Sequence, residues 1–181
     1  MTEEDYAGGD DVDVAARNAA VREAHEEAQV VLSGEDMVQI ARWTPPPGPQ
    51  KRFTTWFFIC AANELSDVVI DQGEIEDHAW LNPKQALERH AKGEIDLAPP
   101  TWVTLHHLSM YTPAQAAFDH FNSQPMKIYS THVAKRADGV RVAMWHGDAG
   151  YDGWDADAEG DRHRFVMAEN GFIFENTVEQ Y

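Results

Sequence analysis

Residues 22–27 read Arg22-Glu23-Ala24-His25-Glu26-Glu27, inside a segment from Val12 to Val31 in which alanines, valines and charges recur at helical spacing. Ala16, Ala19, Ala20, Ala24 and Ala28 offer this first helix a small-residue packing face. On a helix Glu27 stands four residues after Glu23 and Glu26 three after it, so three carboxylates converge on one face. Three readings of their mutual repulsion stay open: a solvated acidic face relieved by Arg22, like charges tolerated at a surface, or a hard divalent cation such as Mg2+ held by oxygen ligands. A fixed R-E-x-x-E-E pattern arises by chance in roughly a few of every thousand chains of this length, and glutamate-rich helices raise that rate.

Outward from this helix, Ser33-Gly34 signals a turn and Met37 to Trp43 reads as a strand. Thr44-Pro45-Pro46-Pro47-Gly48-Pro49 is then an irregular loop, and Arg52 to Ala62, rich in aromatic and β-branched residues, a mostly buried strand. A polar loop at Asp71–Asp77 leads into a short strand over His78 to Leu81. Asn82-Pro83 opens a helix over Pro83 to Ala91, with Asn82 as N-cap and Gly93 as the stop. Pro99-Pro100-Thr101 starts a helix through His107, and Thr112-Pro113 caps another to about Phe121. Beyond it Lys127–Val133 and Val140–Trp145 alternate as strands around the turn Ala137-Asp138-Gly139, and Phe165–Met167 with Gly171–Phe174 form a second hairpin. The acidic stretch Asp148 to Asp161 reads as a loop or ordered turn within a domain.

The 181 residues carry 14 Lys+Arg against 31 Asp+Glu, a formal charge of −17, and 43% hydrophobic content. That suits one domain with an appendage and argues against binding to nucleic acid or a membrane surface, unless a metal reverses the local sign. Cys60 is the single cysteine, which excludes an internal disulfide and a cysteine zinc knuckle. With an acidic start and no apolar run near the ~20 residues of a membrane helix, the expected location is cytoplasmic.

Other patterns carry less. His25-Glu26-Glu27-Ala28-Gln29 lacks the second histidine of a zinc H-E-x-x-H, and Asp155-x-Asp157-x-Glu159-Gly160 has Val166 where a calcium loop needs its last acid. His106 and His107 point to different sides of a helix, against a shared metal.

Gly8 followed by Arg22-Glu23-Ala24-x-Glu26-Glu27 resembles the Nudix box, G-x5-E-x7-R-E-U-x-E-E-x-G-U with U a bulky aliphatic. The likeness extends to Ile40–Trp43, Arg52–Phe58, Gly73-Glu74-Ile75-Glu76 with Trp80–Pro83, and Gly93-Glu94-Ile95 with Pro99–Thr101. It covers roughly residues 6–122, more faintly Gly147-Asp148 and Arg162–Arg164, and is similar to the branch of coenzyme A and acyl-CoA diphosphatases. Three departures stand out: Val14 takes the place of the first box glutamate, Gln29 replaces the box glycine, and only seven residues precede Gly8. An N-terminally truncated chain lacking strands of the central sheet is therefore expected, with an exposed sheet edge and a homodimer as a candidate assembly.

The resemblance implies an α/β fold, a Nudix α/β/α sandwich with a mixed sheet over residues 1–124 and its box at 8–30, followed by a β-rich C-terminal extension over 125–181. It implies a metal-dependent hydrolase, with Mg2+ or Mn2+, cleaving the diphosphate of a small nucleoside-diphosphate derivative such as CoA or acyl-CoA. Glu23, Glu26 and Glu27 are the implied, solvent-facing metal carboxylates, Gly8 an additional ligand through its carbonyl, and Arg22 the residue orienting Glu23. Glu74 or Glu76 is the candidate general base or extra ligand, and Arg42, Lys51 and Arg52 are candidate phosphate contacts. The departures support a rival expectation, a non-catalytic Nudix-like remnant or binding protein.

Overall fold

A computed structural model describes residues 11–48, 51–60 and 78–178. The polar loop at Asp71–Asp77 and the end of the strand expected over Arg52–Ala62 lie outside the described residues. The elements are α1 (Val12–Ala28), β1 (Met37–Thr44), β2 (Thr55–Cys60), α2 (Pro83–Ala91), α3 (Pro99–Leu108), α4 (Ala114–Ser123), β3 (Lys127–Ser130), β4 (His132–Lys135), β5 (Arg141–Met144), β6 (His163–Ala168) and β7 (Gly171–Asn176). The fold is mixed α/β, with a three-stranded sheet of order β2-β1-β3 and a four-stranded antiparallel sheet of order β4-β5-β6-β7. The first of these sheets contains a parallel pair, β1 with β3, in the register Ala41↔Lys127 to Thr44↔Ser130.

The chain divides into two compact units, one of residues 1–40, 56–81 and 112–126, the other of 41–55, 82–111 and 127–181. In the first, the Asp11 carboxylate caps α1 by accepting from the Asp13 backbone N–H at 2.9 Å, and Ala15, Ala16 and Ala19 are buried. Small side chains bury little area each, so polar ties matter to its placement. The Trp56 indole N–H donates to Asp13 at 2.9 Å, the Gln39 amide donates to the same oxygen at 3.3 Å, and Arg17 donates to the carbonyls of Gly34 and Met37. The Arg17 guanidinium also lies 5.4 Å from the centre of the Phe58 ring.

In the second unit, the side chain of Asn82 accepts from Lys84 N–H at 3.0 Å while Gln85 accepts from Asn82 N–H at 3.3 Å, a full capping box with Pro83 at the first helical position. The short strand expected at His78–Leu81 is not formed: these residues are exposed and irregular, because no neighbouring strand offers a hydrogen-bond ladder among the described residues. The strand expected over Lys127–Val133 is broken in two at Thr131. Lys127–Ser130 pairs with β1, whereas His132–Lys135 pairs antiparallel with β5.

The antiparallel sheet buries Val142, Met144 and Val166 on one face together with Ala156 from the acidic loop. That loop is an ordered turn: a Cβ on Gly150 would stand 1.9 Å from the Asp155 carbonyl oxygen, so only glycine fits. Trp43 stacks on Tyr129 at 3.8 Å, and Trp145 meets both rings edge-on at 5.3 and 5.0 Å. His107, buried beside this cluster, has a pKa lowered to about 3, by burial first and then by His106, Lys127 and His163.

Candidate active site

The C-terminal half of α1 carries the acidic constellation. Arg22 is placed by helical spacing so that one guanidinium nitrogen donates to Glu26 Oε2 at 2.7 Å and the other to Glu23 Oε1 at 3.2 Å. One cation thus spans two carboxylates one turn apart, which relieves their repulsion and limits their rotamers. Glu23 and Glu26 keep 47% and 55% of their side-chain surface exposed, so both remain accessible to a solute, and Glu27 is half-buried. At this exposure the ion pairs contribute little to stability, and their consequence is geometric.

The helix ends at Gln29, which adopts the left-handed conformation at φ 53° and ψ 25°. Gln29 and Val30 backbone N–H groups donate to the His25 and Ala24 carbonyls at 3.0 and 3.1 Å. The backbone therefore makes here the turn that suits a glycine, with a glutamine in the strained position. Val14, in the first turn of the same helix, is exposed at 39%.

Other sequence-predicted residues fall elsewhere. Gly8, Glu74 and Glu76 lie outside the described residues. Arg42 is half-buried on β1 in the second unit. In the same unit the Lys51 ammonium sits 5.0 Å from the Phe53 ring centre and Arg52 donates to the Pro45 carbonyl at 3.4 Å. Among the described residues no group of three or more His, Cys, Asp or Glu is arranged to hold a metal ion. The donor chemistry of Glu23, Glu26 and Glu27 nevertheless suits a hard cation, which takes carboxylate oxygens and completes its shell with water and phosphate.

Comparison with known proteins finds that the NUDIX domain matches residues 7–101, more than half of the chain. The chain belongs to the Nudix family. The matched range contains the whole box, from Gly8 through Val30, and continues through β1, β2 and α2 to the start of α3. Among curated proteins, it is 35% identical over 63 residues to acyl-coenzyme A diphosphatase NUDT19 of Xenopus laevis, covering 35% of this chain and 17% of that protein. It is 32% identical over 71 residues to acyl-coenzyme A diphosphatase NUDT19 of Homo sapiens, covering 38% of this chain and 19% of that one. The matched segment thus spans under a fifth of the length of either relative. No solved structure matches the chain significantly.

Two features of the Nudix chain were not singled out as sites from sequence. One is the buried pair of Asp148 and Arg164, only faintly marked there as part of the family resemblance. The other is a pocket on the antiparallel sheet, whose signal was the alternation of Arg141, Ala143 and Trp145 along one strand. Among the described residues no helix is long and apolar enough to cross a membrane.

Proposed function

We propose that this Nudix protein is a divalent-metal-dependent hydrolase that cleaves the diphosphate of a nucleoside-diphosphate derivative, with CoA or acyl-CoA as substrate class. The observation that carries the reading is Arg22 holding Glu23 and Glu26 together on the exposed turn of α1. The two relatives are acyl-coenzyme A diphosphatases, which supports the choice of substrate.

Glu23, Glu26 and Glu27 would hold Mg2+ or Mn2+, with the Gly8 carbonyl as a further oxygen ligand. When bound, such a cation neutralises charge on the phosphoryl oxygens and acidifies water for attack on phosphorus. Arg22 orients Glu23 and Glu26 through charge-assisted hydrogen bonds. Glu74 or Glu76 is proposed as the base that takes the proton from the attacking water, and Arg42, Lys51 and Arg52 as groups that meet substrate phosphates. The test is phosphate-product release from CoA, NADH and ADP-ribose by the purified chain, with Mg2+ or Mn2+ and with chelator. Chelator-sensitive turnover of CoA above the other two is expected; turnover of none by a folded chain would refute the reading.

A second reading, a non-catalytic Nudix-like binding protein, is favoured by Val14, an exposed apolar residue where the box has a glutamate. It predicts binding of CoA or ADP-ribose without product release.

A further inference from the structure

The antiparallel sheet has a second face, opposite the one that packs on Ala156. Cross-strand pairing puts Val133 beside Ala143, Lys135 beside Arg141, and Arg141 beside Met167, so these side chains share that face. Thr131, Val133, Arg141, Ala143, Trp145 and Met167 form one wall of a pocket of about 260 Å³. Pro45, Pro46, Phe53, Pro99, Pro100 and Trp43 also line the cavity. All of these residues belong to the second compact unit. All of the sheet wall lies beyond residue 101, where the family match ends.

The polar groups of this lining are few and partly used. Thr131 Oγ1 accepts from the Trp145 indole N–H at 3.1 Å, and the Thr44 hydroxyl lies 3.5 Å from that of Thr54. Prolines have no backbone N–H to offer. The exception is Arg141, which lines the pocket and is exposed, and whose side chain makes no hydrogen bond or ion pair with any described residue. Its direct cross-strand neighbour is a second cation, Lys135. Like charges placed opposite each other on a sheet are unfavourable, and an anion between them removes the cost. In a chain of net charge −17, two adjacent cations without a carboxylate partner among the described residues are a local reversal of sign.

We propose that this pocket binds an amphipathic anion: an aliphatic chain against the Trp, Phe, Pro and Met wall, with a carboxylate or phosphate head on Arg141. The volume of about 260 Å³ accommodates roughly nine groups of the size of a water molecule, which suits a chain of about eight carbons. The proposal is independent of the acidic helix and stands or falls without any hydrolytic activity.

The test is isothermal titration of the full chain with octanoate, octyl phosphate and octan-1-ol. At least one of the two anions is expected to bind with a Kd on the order of 0.1 to 1 mM, and the tighter one identifies the head group. Arg141→Gln should weaken the anions about tenfold or more while leaving octan-1-ol unchanged, since only the anions use the charge. Val133→Phe, which fills the cavity, should weaken all three, with far-UV circular dichroism confirming that both variants are folded. Lack of saturable binding by either anion up to about 5 mM would overturn the proposal. So would folded Arg141→Gln or Val133→Phe binding the anions as tightly as the parent.

Discussion

Asp148 and Arg164 face each other in full burial, with the guanidinium donating from Nε to Oδ2 at 2.7 Å and from a terminal nitrogen to Oδ1 at 2.6 Å. The backbone N–H groups of His163 and Gly150 donate to the same carboxylate at 3.0 and 2.8 Å, and the other terminal nitrogen of Arg164 donates to the Ala156 carbonyl at 2.7 Å. Every charged atom of the pair is thereby partnered, the condition under which a buried ion pair is tolerated. Burial pushes the Asp148 carboxyl up, but Arg164 and the two backbone donors outweigh it and hold the group below the usual carboxylate range. The pair ties the acidic loop to β6.

Removing one charge strands the other. Asp148→Asn is expected to destabilise the fold by about 3 to 5 kcal/mol, read as a lowered urea midpoint. Because the folded carboxyl titrates below its unfolded value, its contribution is complete above about pH 4 and is lost as pH falls through the folded pKa. Asp148→Asn should therefore remove part of the acid sensitivity seen below that pH.

His107 acts over a higher window. Its pKa is lowered to about 3 in the folded protein, so the folded state binds fewer protons than the unfolded one at mildly acid pH. Stability should be full above about pH 6.5 and decline on acidification by at most about 1.4 kcal/mol per pH unit from this group. Replacing it by an untitratable ring, His107→Phe, should flatten urea midpoints measured between about pH 6 and pH 4; an unchanged slope would assign the dependence to other groups.

Local signals made some of this structure readable and long-range pairing hid the rest. Asn82-Pro83 predicts the observed α2 from Pro83 to Ala91 because the cap and the proline act within one turn. The helix holding Arg22, Glu23, Glu26 and Glu27 was legible for the same reason, ending at Ala28 where Val31 was expected. The break at Thr131 was not, since the partners of Tyr129 and Val133 are Trp43 and Ala143, one of them far away in sequence. A short strand was expected over His78–Leu81, but a strand also needs a neighbour. Arg141 was overlooked because its meaning depends on Lys135 and Met167 across two ladders.

Gln29 carries a strain that glycine would not. A non-glycine residue in the left-handed region costs roughly 1 kcal/mol, and Gln29 is exposed, with no packing to lose. Gln29→Gly is expected to raise stability by about 1 kcal/mol, or about 2 to 4 °C in Tm, whereas Gln29→Ala should give no gain.

Arg22 reaches Glu23 and Glu26 through two different nitrogens, a geometry that a lysine cannot copy. Arg22→Lys should lower diphosphatase turnover about 10- to 100-fold with a change in stability of less than about 1 kcal/mol. Equal turnover in the two proteins would show that the bridging has no part in catalysis.

The proposed metal-dependent diphosphatase centre on the Glu-rich turn of α1 is tested by the initial rate of CoA hydrolysis in Mg2+, with and without EDTA, for the parent chain and Glu26→Gln. Parent turnover is expected to be abolished by EDTA and to fall about 100-fold or more in Glu26→Gln with unaltered thermal unfolding, since Glu26 is exposed. Parent turnover that survives the chelator, or a Glu26→Gln variant as active as the parent, would contradict the proposal.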